Sequence, residues 1–344
     1  MTAHHVDRFR GWLEGTPLTG PETVHVDVTN ACNLDCVTCW NYAPGLAAPK
    51  SVEWKRRRID PALFTRVLAE VAATGVERLV LSGGGEPFSH PQLPDFLRQV
   101  KARGLRVTLI TNGTLADFAL LRELRVDQVL LNTASASPRT YAAYHPNQPP
   151  ETFERLLAGV ELLRGVTQVN LVQVINGLNA HELVAMVELA HRLGARASFK
   201  VGDVPAGTER FALTPLQRAW LLDTGLPAAR RRVKELGGVR QNLAAFEQQL
   251  RGQREGPLPR CFAGFLYTRI SVEGRVFFCC APIEAGHVDE GPFEQVWRSP
   301  RYQALRERVR RNELFPACAR CGKHDMNFAA EQELSALHEE GLLP

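Results

Sequence analysis

A chain of 344 residues with 44% hydrophobic and 23% charged side chains has the make-up of an ordinary globular protein, large enough for one big core or two medium ones. Its formal net charge of +4 comes from arginine-rich helical stretches rather than a basic tail, so solvated helix faces explain it and nucleic acid is not an expected partner. No apolar run reaches the roughly 18 residues that a membrane-spanning helix needs, and residues 1–20 lack the apolar core of a secretory signal, which leads to an expected cytoplasmic address without a membrane.

After an N-terminal extension, residues 1–21, apolar runs and amphipathic stretches alternate regularly. Residues 24–28 predict a strand, 61–74 a helix, 78–81 a strand and 91–103 a helix. The series continues with 106–110 (strand), 115–124 (helix) and 128–131 (strand), then helical segments around 139–144 and 152–163. Residues 169–175 (strand), 180–193 (helix) and 197–201 (strand) complete six strand-helix repeats. Such a series implies an α/β fold: a parallel sheet covered by helices and curved into a partial (β/α)6 TIM-like barrel over residues 22–205. The working loops of that architecture lie at the carboxyl ends of the strands.

Residues 206–260 read as a helical bridging region that ends at Gly256-Pro257-Leu258-Pro259. A small α+β domain, residues 261–344, is expected beyond it. Two strands, 265–272 and 275–280, flank the turn Glu273-Gly274 as a β-hairpin. A helix over 292–311, whose arginines suit one exposed face, and a last helix over 326–340 follow.

The eight cysteines are clustered, which in a reducing compartment reads as metal binding rather than a disulfide framework. Cys32, Cys36 and Cys39 occupy one short loop after the first strand and converge on a soft metal centre with one coordination position open. Zinc, completed by His25 or a distant residue, is the plainer reading. The turn after the second strand is Ser82-Gly83-Gly84-Gly85-Glu86-Pro87, where glycines let backbone approach a ligand or simply make a tight connection. Thr111-Asn112-Gly113, Asn132-Thr133-Ala134-Ser135, Asn176-Gly177 and Gly202-Asp203 follow the later strands, so polar residues gather on one rim. Farther on, Cys261-x17-Cys279 and Cys318-x2-Cys321 supply four soft ligands that in isolation suit a zinc ribbon.

Cys32-x3-Cys36-x2-Cys39 followed by Gly84-Gly85-Glu86-Pro87 resembles the radical S-adenosylmethionine (SAM) superfamily. The resemblance implies a [4Fe-4S] cluster on the three cysteines, with SAM bound to its unique iron through amino and carboxylate groups. Reduction by an external flavodoxin- or ferredoxin-like donor would then release a 5′-deoxyadenosyl radical. By the same resemblance Gly84, Gly85 and Glu86 contact the methionine amino group, Asn112 lies near the cofactor, and Asn132 takes the ribose position where a serine is commoner. Thr38 departs from the family pattern, which has an aromatic residue there beside the adenine; Trp40 is the candidate replacement, with core packing as its alternative.

The C-terminal cysteines resemble the Twitch domain, the shortened relative of the SPASM domain. That implies one auxiliary [4Fe-4S] cluster on Cys261, Cys279, Cys318 and Cys321, since no cysteine follows to hold a second. Cys280 is left over; strand alternation points it away from Cys279, and it reads either as a hydrogen-atom donor to a substrate radical or as a buried structural thiol. Lys200 and Gln173 are candidates to face the barrel interior, Lys200 to meet a carboxylate. Tyr141, Tyr144 and His145 line the rim or pack within a helix.

The expected function is a radical enzyme that takes a hydrogen atom from a small molecule, sugar- or aminocyclitol-like, in natural-product biosynthesis. A maturase that crosslinks or epimerises a precursor peptide is the alternative. A non-catalytic, zinc-stapled binding protein is the third reading.

Overall fold

The computed structural model describes residues 3–252 and 260–344, so the boundary expected at Gly256-Pro257-Leu258-Pro259 lies outside the described residues. Six strands follow the predicted beat: β1 (Thr23–Asp27), β2 (Arg78–Ser82), β3 (Arg106–Thr111), β4 (Gln128–Asn132), β5 (Gln168–Ile175) and β6 (Arg196–Val201). Each runs parallel to the next, as crossover helices require. The helix Pro61–Ala72 illustrates why the connections are helical. Asp60 accepts hydrogen bonds from Ala62 N and Leu63 N, Pro61 opens the first turn, and Phe64, Val67, Leu68 and Val71 fall on one buried face. Phe64 stacks on Phe96 of the next crossover helix, Leu93–Ala102, at 4.0 Å between ring centres.

Along each strand alternate residues face the helices or the inner side of the curved sheet. Leu79 and Leu81 of β2, Val107 and Leu109 of β3 and Val129 and Leu131 of β4 are buried in the helix-facing core. Gln173 shares the face of Leu171 and Ile175, which corrects its expected place inside the barrel. It is 0% exposed, and both its amide atoms lack a hydrogen-bond partner. Lys200 does lie on the inner face, since its neighbour Phe199 is buried toward the helices.

The C-terminal hairpin does not make a sheet of its own. β7 (Tyr267–Ile270) runs parallel to β1, with Tyr267 opposite Thr23 and Ile270 opposite Val26; β8 (Arg275–Phe277) and β9 (Glu284–His287) follow antiparallel. The result is one nine-stranded sheet in the order β6-β5-β4-β3-β2-β1-β7-β8-β9. The polar edge of β1, which would otherwise stay unpaired, is satisfied by a strand more than 240 residues away. β9 was not anticipated, because Glu284-Ala285-Gly286-His287 contains no strong strand former.

Three other expectations change. The helix expected over 292–311 breaks into Phe293–Trp297 and Pro300–Arg310, because Ser299 caps Tyr302 N and Pro300 cannot continue the preceding turn. Arg306 is not on an exposed face: it is 0% exposed, donates to Gly264 O at 2.7 Å and Trp297 O at 2.6 Å, and lies against the rings of Trp297 and Tyr302. The N-terminal extension forms the helix Ala3–Glu14, whose Phe9 and Trp12 pack with Phe262, Leu334 and Leu337. Among the described residues no helix is long and apolar enough to cross a membrane.

Side chains reinforce the β1–β7 seam on its inner face. Arg269 Nε donates to Asp27 Oδ2 at 3.0 Å, and His25 Nδ1 lies 2.9 Å from the Tyr267 hydroxyl. Burial pushes the Asp27 carboxyl up, but the hydrogen bond and charge of His25 and the Arg269 guanidinium outweigh it, and the net shift is below its ordinary value. A carboxyl depressed in the folded state adds stability that is present above its unfolded value and lost as pH falls through the folded one. Asp27→Asn is therefore expected to cost about 1–3 kcal/mol at neutral pH, read from the urea midpoint, and to flatten the acid limb of the stability profile. An unchanged midpoint would contradict the seam's role.

Candidate functional site

The first cysteine loop leaves β1 and is held down before its thiols are placed. Ile59 N bonds Val28 O at 2.9 Å and Asn30 N bonds Arg57 O at 2.9 Å, closing the excursion at its neck. From the other side the segment after the helix Pro138–Tyr144 clamps the loop. Val37 N donates to Tyr144 O at 3.0 Å, Thr38 Oγ1 lies 2.6 Å from the Tyr144 hydroxyl, and Asn147 Nδ2 donates to Asn33 O at 2.8 Å. Thr38 thus points into the scaffold. Tyr144 packs with Val37 and Ala134, so helix packing rather than an open rim describes it.

Backbone amides turn toward two of the sulfurs: Leu34 N to Cys32 Sγ at 3.5 Å and Asn41 N to Cys39 Sγ at 3.4 Å. Burial raises the Cys32 thiol to about 11 and lifts Cys36 well above its ordinary value. Such thiols stay protonated at neutral pH until a metal displaces the proton.

The glycine turn lies directly against this loop. A Cβ on Gly83 would collide with Thr29 O, one on Gly85 with Ala31 O, and one on Gly84 with the Trp54 ring. The glycines are therefore demanded by the chain's own close approach. Glu86 N bonds Ala31 O at 2.8 Å, and Asn41 Nδ2 donates to Gly84 O at 2.9 Å.

Glu86 is 2% exposed. Its Oε1 accepts from Thr111 Oγ1 at 2.6 Å and Phe88 N at 3.1 Å, and its Oε2 from Asn112 N at 2.7 Å. Burial raises its pKa to about 6 against these three bonds. The carboxylate expected at the methionine amino group thus also fastens the second turn to the third. Asn112 Nδ2 in turn reaches Asn33 Oδ1 at 3.1 Å and comes within 3.9 Å of Cys32 Sγ. At the end of β4, Asn132 Oδ1 and Thr133 Oγ1 are buried without a hydrogen-bond partner in the structure. Orphaned acceptors beside the cysteine loop fit a hydroxyl-bearing cofactor such as SAM.

Five cysteines, Cys261, Cys279, Cys280, Cys318 and Cys321, line a cavity of about 510 Å³ together with Trp40, Asp203 and Lys323. Cys280 faces the same space as Cys279, contrary to expectation. β8 ends at Phe277, so strand alternation no longer governs the pair. Trp40 is 53% exposed and forms part of this wall rather than core. Among the described residues no three histidine, cysteine or carboxylate side chains converge closely enough to hold a single ion. Cysteines spread around a cavity suit a multi-iron cluster better than one tetrahedral zinc. His25 does not serve the first loop either, because its Nε2 lies 2.5 Å from Ser82 Oγ and its Nδ1 bonds Tyr267. Lys323 and Asn147 went unnoticed in the sequence, where no motif marks them.

A model of the Radical SAM superfamily matches residues 26–190, and one of the SPASM iron-sulfur cluster-binding domain matches 261–322. The AdoMet-dependent heme synthase of Methanosarcina barkeri is 29% identical over 331 residues, covering 88% of either chain. A PqqA peptide cyclase of Ruegeria pomeroyi is 30% identical over 179 residues, 51% of this chain and 46% of its own. The crystal structure of Streptococcus suis SuiB bound to precursor peptide SuiA shares the fold at a TM-score of 0.63 and 16% identity, over 87% of this chain and 70% of that one. The zinc-stapled binding protein is set aside by these matches.

Anaerobically reconstituted protein is expected to hold about eight irons per chain, and Cys36→Ala about four, by iron and sulfide analysis. Full iron in the variant would contradict the assignment of the first loop. The two matched domains, the cysteine loop after β1 and the cysteines that flank the β7–β8 hairpin make this chain a radical SAM superfamily enzyme with a C-terminal SPASM/Twitch iron-sulfur domain.

Proposed function

We propose that this enzyme removes a hydrogen atom from a small organic substrate held on the inner face of the barrel, and that the substrate is oxidised by two electrons. The observation that carries the proposal is Trp40. It stands one residue after Cys39 yet forms a wall of the cavity around Cys261, Cys279, Cys318 and Cys321, which supports a reading in which the first cysteine loop borders the second site. When bound, the first cluster with SAM supplies a 5′-deoxyadenosyl radical and the auxiliary cluster an electron acceptor.

The chain's own residues do the rest. Cys32, Cys36 and Cys39 hold the first centre; Asn132 and Thr133 offer acceptors to the cofactor's hydroxyls. Ile110, Leu130, Val172 and Val174, half-buried on the inner face, exclude water from a reactive radical. An external flavodoxin- or ferredoxin-like protein is the proposed electron source. A small molecule is favoured over a peptide because a relative that matches along nearly the whole chain is named a heme synthase. The peptide cyclase matches only half of it.

Anaerobic incubation with SAM and dithionite tests the reading, followed by mass spectrometry of a panel of tetrapyrroles, aminocyclitols and precursor peptides. Wild type is expected to form 5′-deoxyadenosine and to remove two hydrogens from a small molecule. Cys36→Ala should lose 5′-deoxyadenosine entirely, whereas Cys318→Ala should keep it and lose the oxidised product. Product formation at the wild-type rate by Cys318→Ala would remove the role given to the second site, and modification of peptides alone would replace the substrate class.

A further inference from the structure

Two lysines lie on the inner side of the sheet, Lys323 beside the second cysteine set and Lys200 on β6. Lys323 lies on the cavity wall, its Nζ 3.7 Å from the centre of the Tyr267 ring on the inner face of β7. Lys200 lies on the inner face of β6, opposite Val174 of β5. The two are near enough that Lys200 contributes to the lowering of the Lys323 ammonium, after burial, which is the larger cause. Among the described residues the lysine found in an ion pair is Lys101, with Asp127. The Arg269 guanidinium on the same inner wall is already engaged by Asp27 and Cys280 O. Bound thiolates balance charge near Lys323, which follows Cys321 by two residues. They do not account for Lys200, which stands on β6.

The strands next to β6 have another character. Ile110 of β3, Leu130 of β4 and Val172 and Val174 of β5 present half-buried aliphatic side chains to the same inner face. Lysines that form no ion pair among the described residues, beside a hydrocarbon surface and with Asp203 as the acidic group on the cavity wall, are complementary to an amphipathic anion.

Resting on the radical-enzyme reading, we infer that the substrate is an organic anion with an apolar body, its carboxylate or other oxyanion received by Lys200 and Lys323 and its hydrocarbon part lying over β3–β5.

The test uses a matched pair of fluorescent probes on holoenzyme carrying both clusters and SAM: 8-anilinonaphthalene-1-sulfonate and its uncharged counterpart N-phenyl-1-naphthylamine. Wild type is expected to prefer the sulfonate. Lys200→Ala and Lys323→Ala should each weaken the sulfonate by about tenfold or more while the neutral probe changes less than about twofold. Lys200→Arg should recover most of the loss, and Lys234→Ala on the outer helix Leu226–Glu235 should alter neither probe. Equal affinity of wild type for the two probes, equal losses for both in the variants, or undiminished sulfonate binding by Lys200→Ala would overturn the anion site. A Lys200→Ala defect confined to SAM binding would overturn it as well. 5′-Deoxyadenosine measured in the same preparations separates the two levels: its formation without charge discrimination rejects the anion site alone, and its absence rejects the radical reading beneath it.

Discussion

Hydrogen bonding of β1 on both of its edges is the constraint from which the site follows. One edge pairs with β2, which carries the glycine turn, and the other with β7, which leads into the auxiliary cysteines. The second pairing sets the register of the C-terminal hairpin against the barrel. With it, the loop that leaves the end of β1 and the hairpin that follows β7 are neighbours. Arg269 adds a side-chain link by donating both to Asp27 on β1 and to Cys280 O beyond β8. Trp40, one residue after Cys39, thereby reaches the cavity of cysteines more than 200 residues away in sequence.

A second constraint acts within the site. The turn at Gly83–Gly85 and the loop at Thr29–Ala31 approach so closely that no side chain fits between them, and the Glu86 carboxylate then ties the next turn to the same block. Three strand ends become one rigid unit, with the cysteine thiols at its surface. Rigidity of this kind lets a reactive intermediate be confined by geometry, because the groups that surround it have little freedom to reorient.

Much of this was legible in the sequence, and the reasons differ by element. β1 to β6 announce themselves as apolar runs at regular intervals, and the helices between them carry caps such as Asp60-Pro61. The cysteine spacings mark two metal centres, and the family resemblance rather than spacing alone assigns them to iron-sulfur clusters over zinc. The pairing of β7 with β1 was not legible, since register between distant strands leaves no local mark. Cys280 was misplaced because the strand rule was extended past Phe277, where the strand ends. Arg306 and Gln173 were misplaced for a related reason: each is a polar residue in a core position, and composition alone assigns such residues to the surface or to the site.

The account stands on two separate four-iron centres, of which only the first binds SAM. Electron paramagnetic resonance of the dithionite-reduced protein, recorded with and without SAM, tests this most directly. The account predicts two overlapping signals, one shifted by SAM and missing in Cys36→Ala, the other indifferent to SAM and missing in Cys318→Ala. A single signal, or a SAM-induced shift that survives in Cys36→Ala, would contradict it.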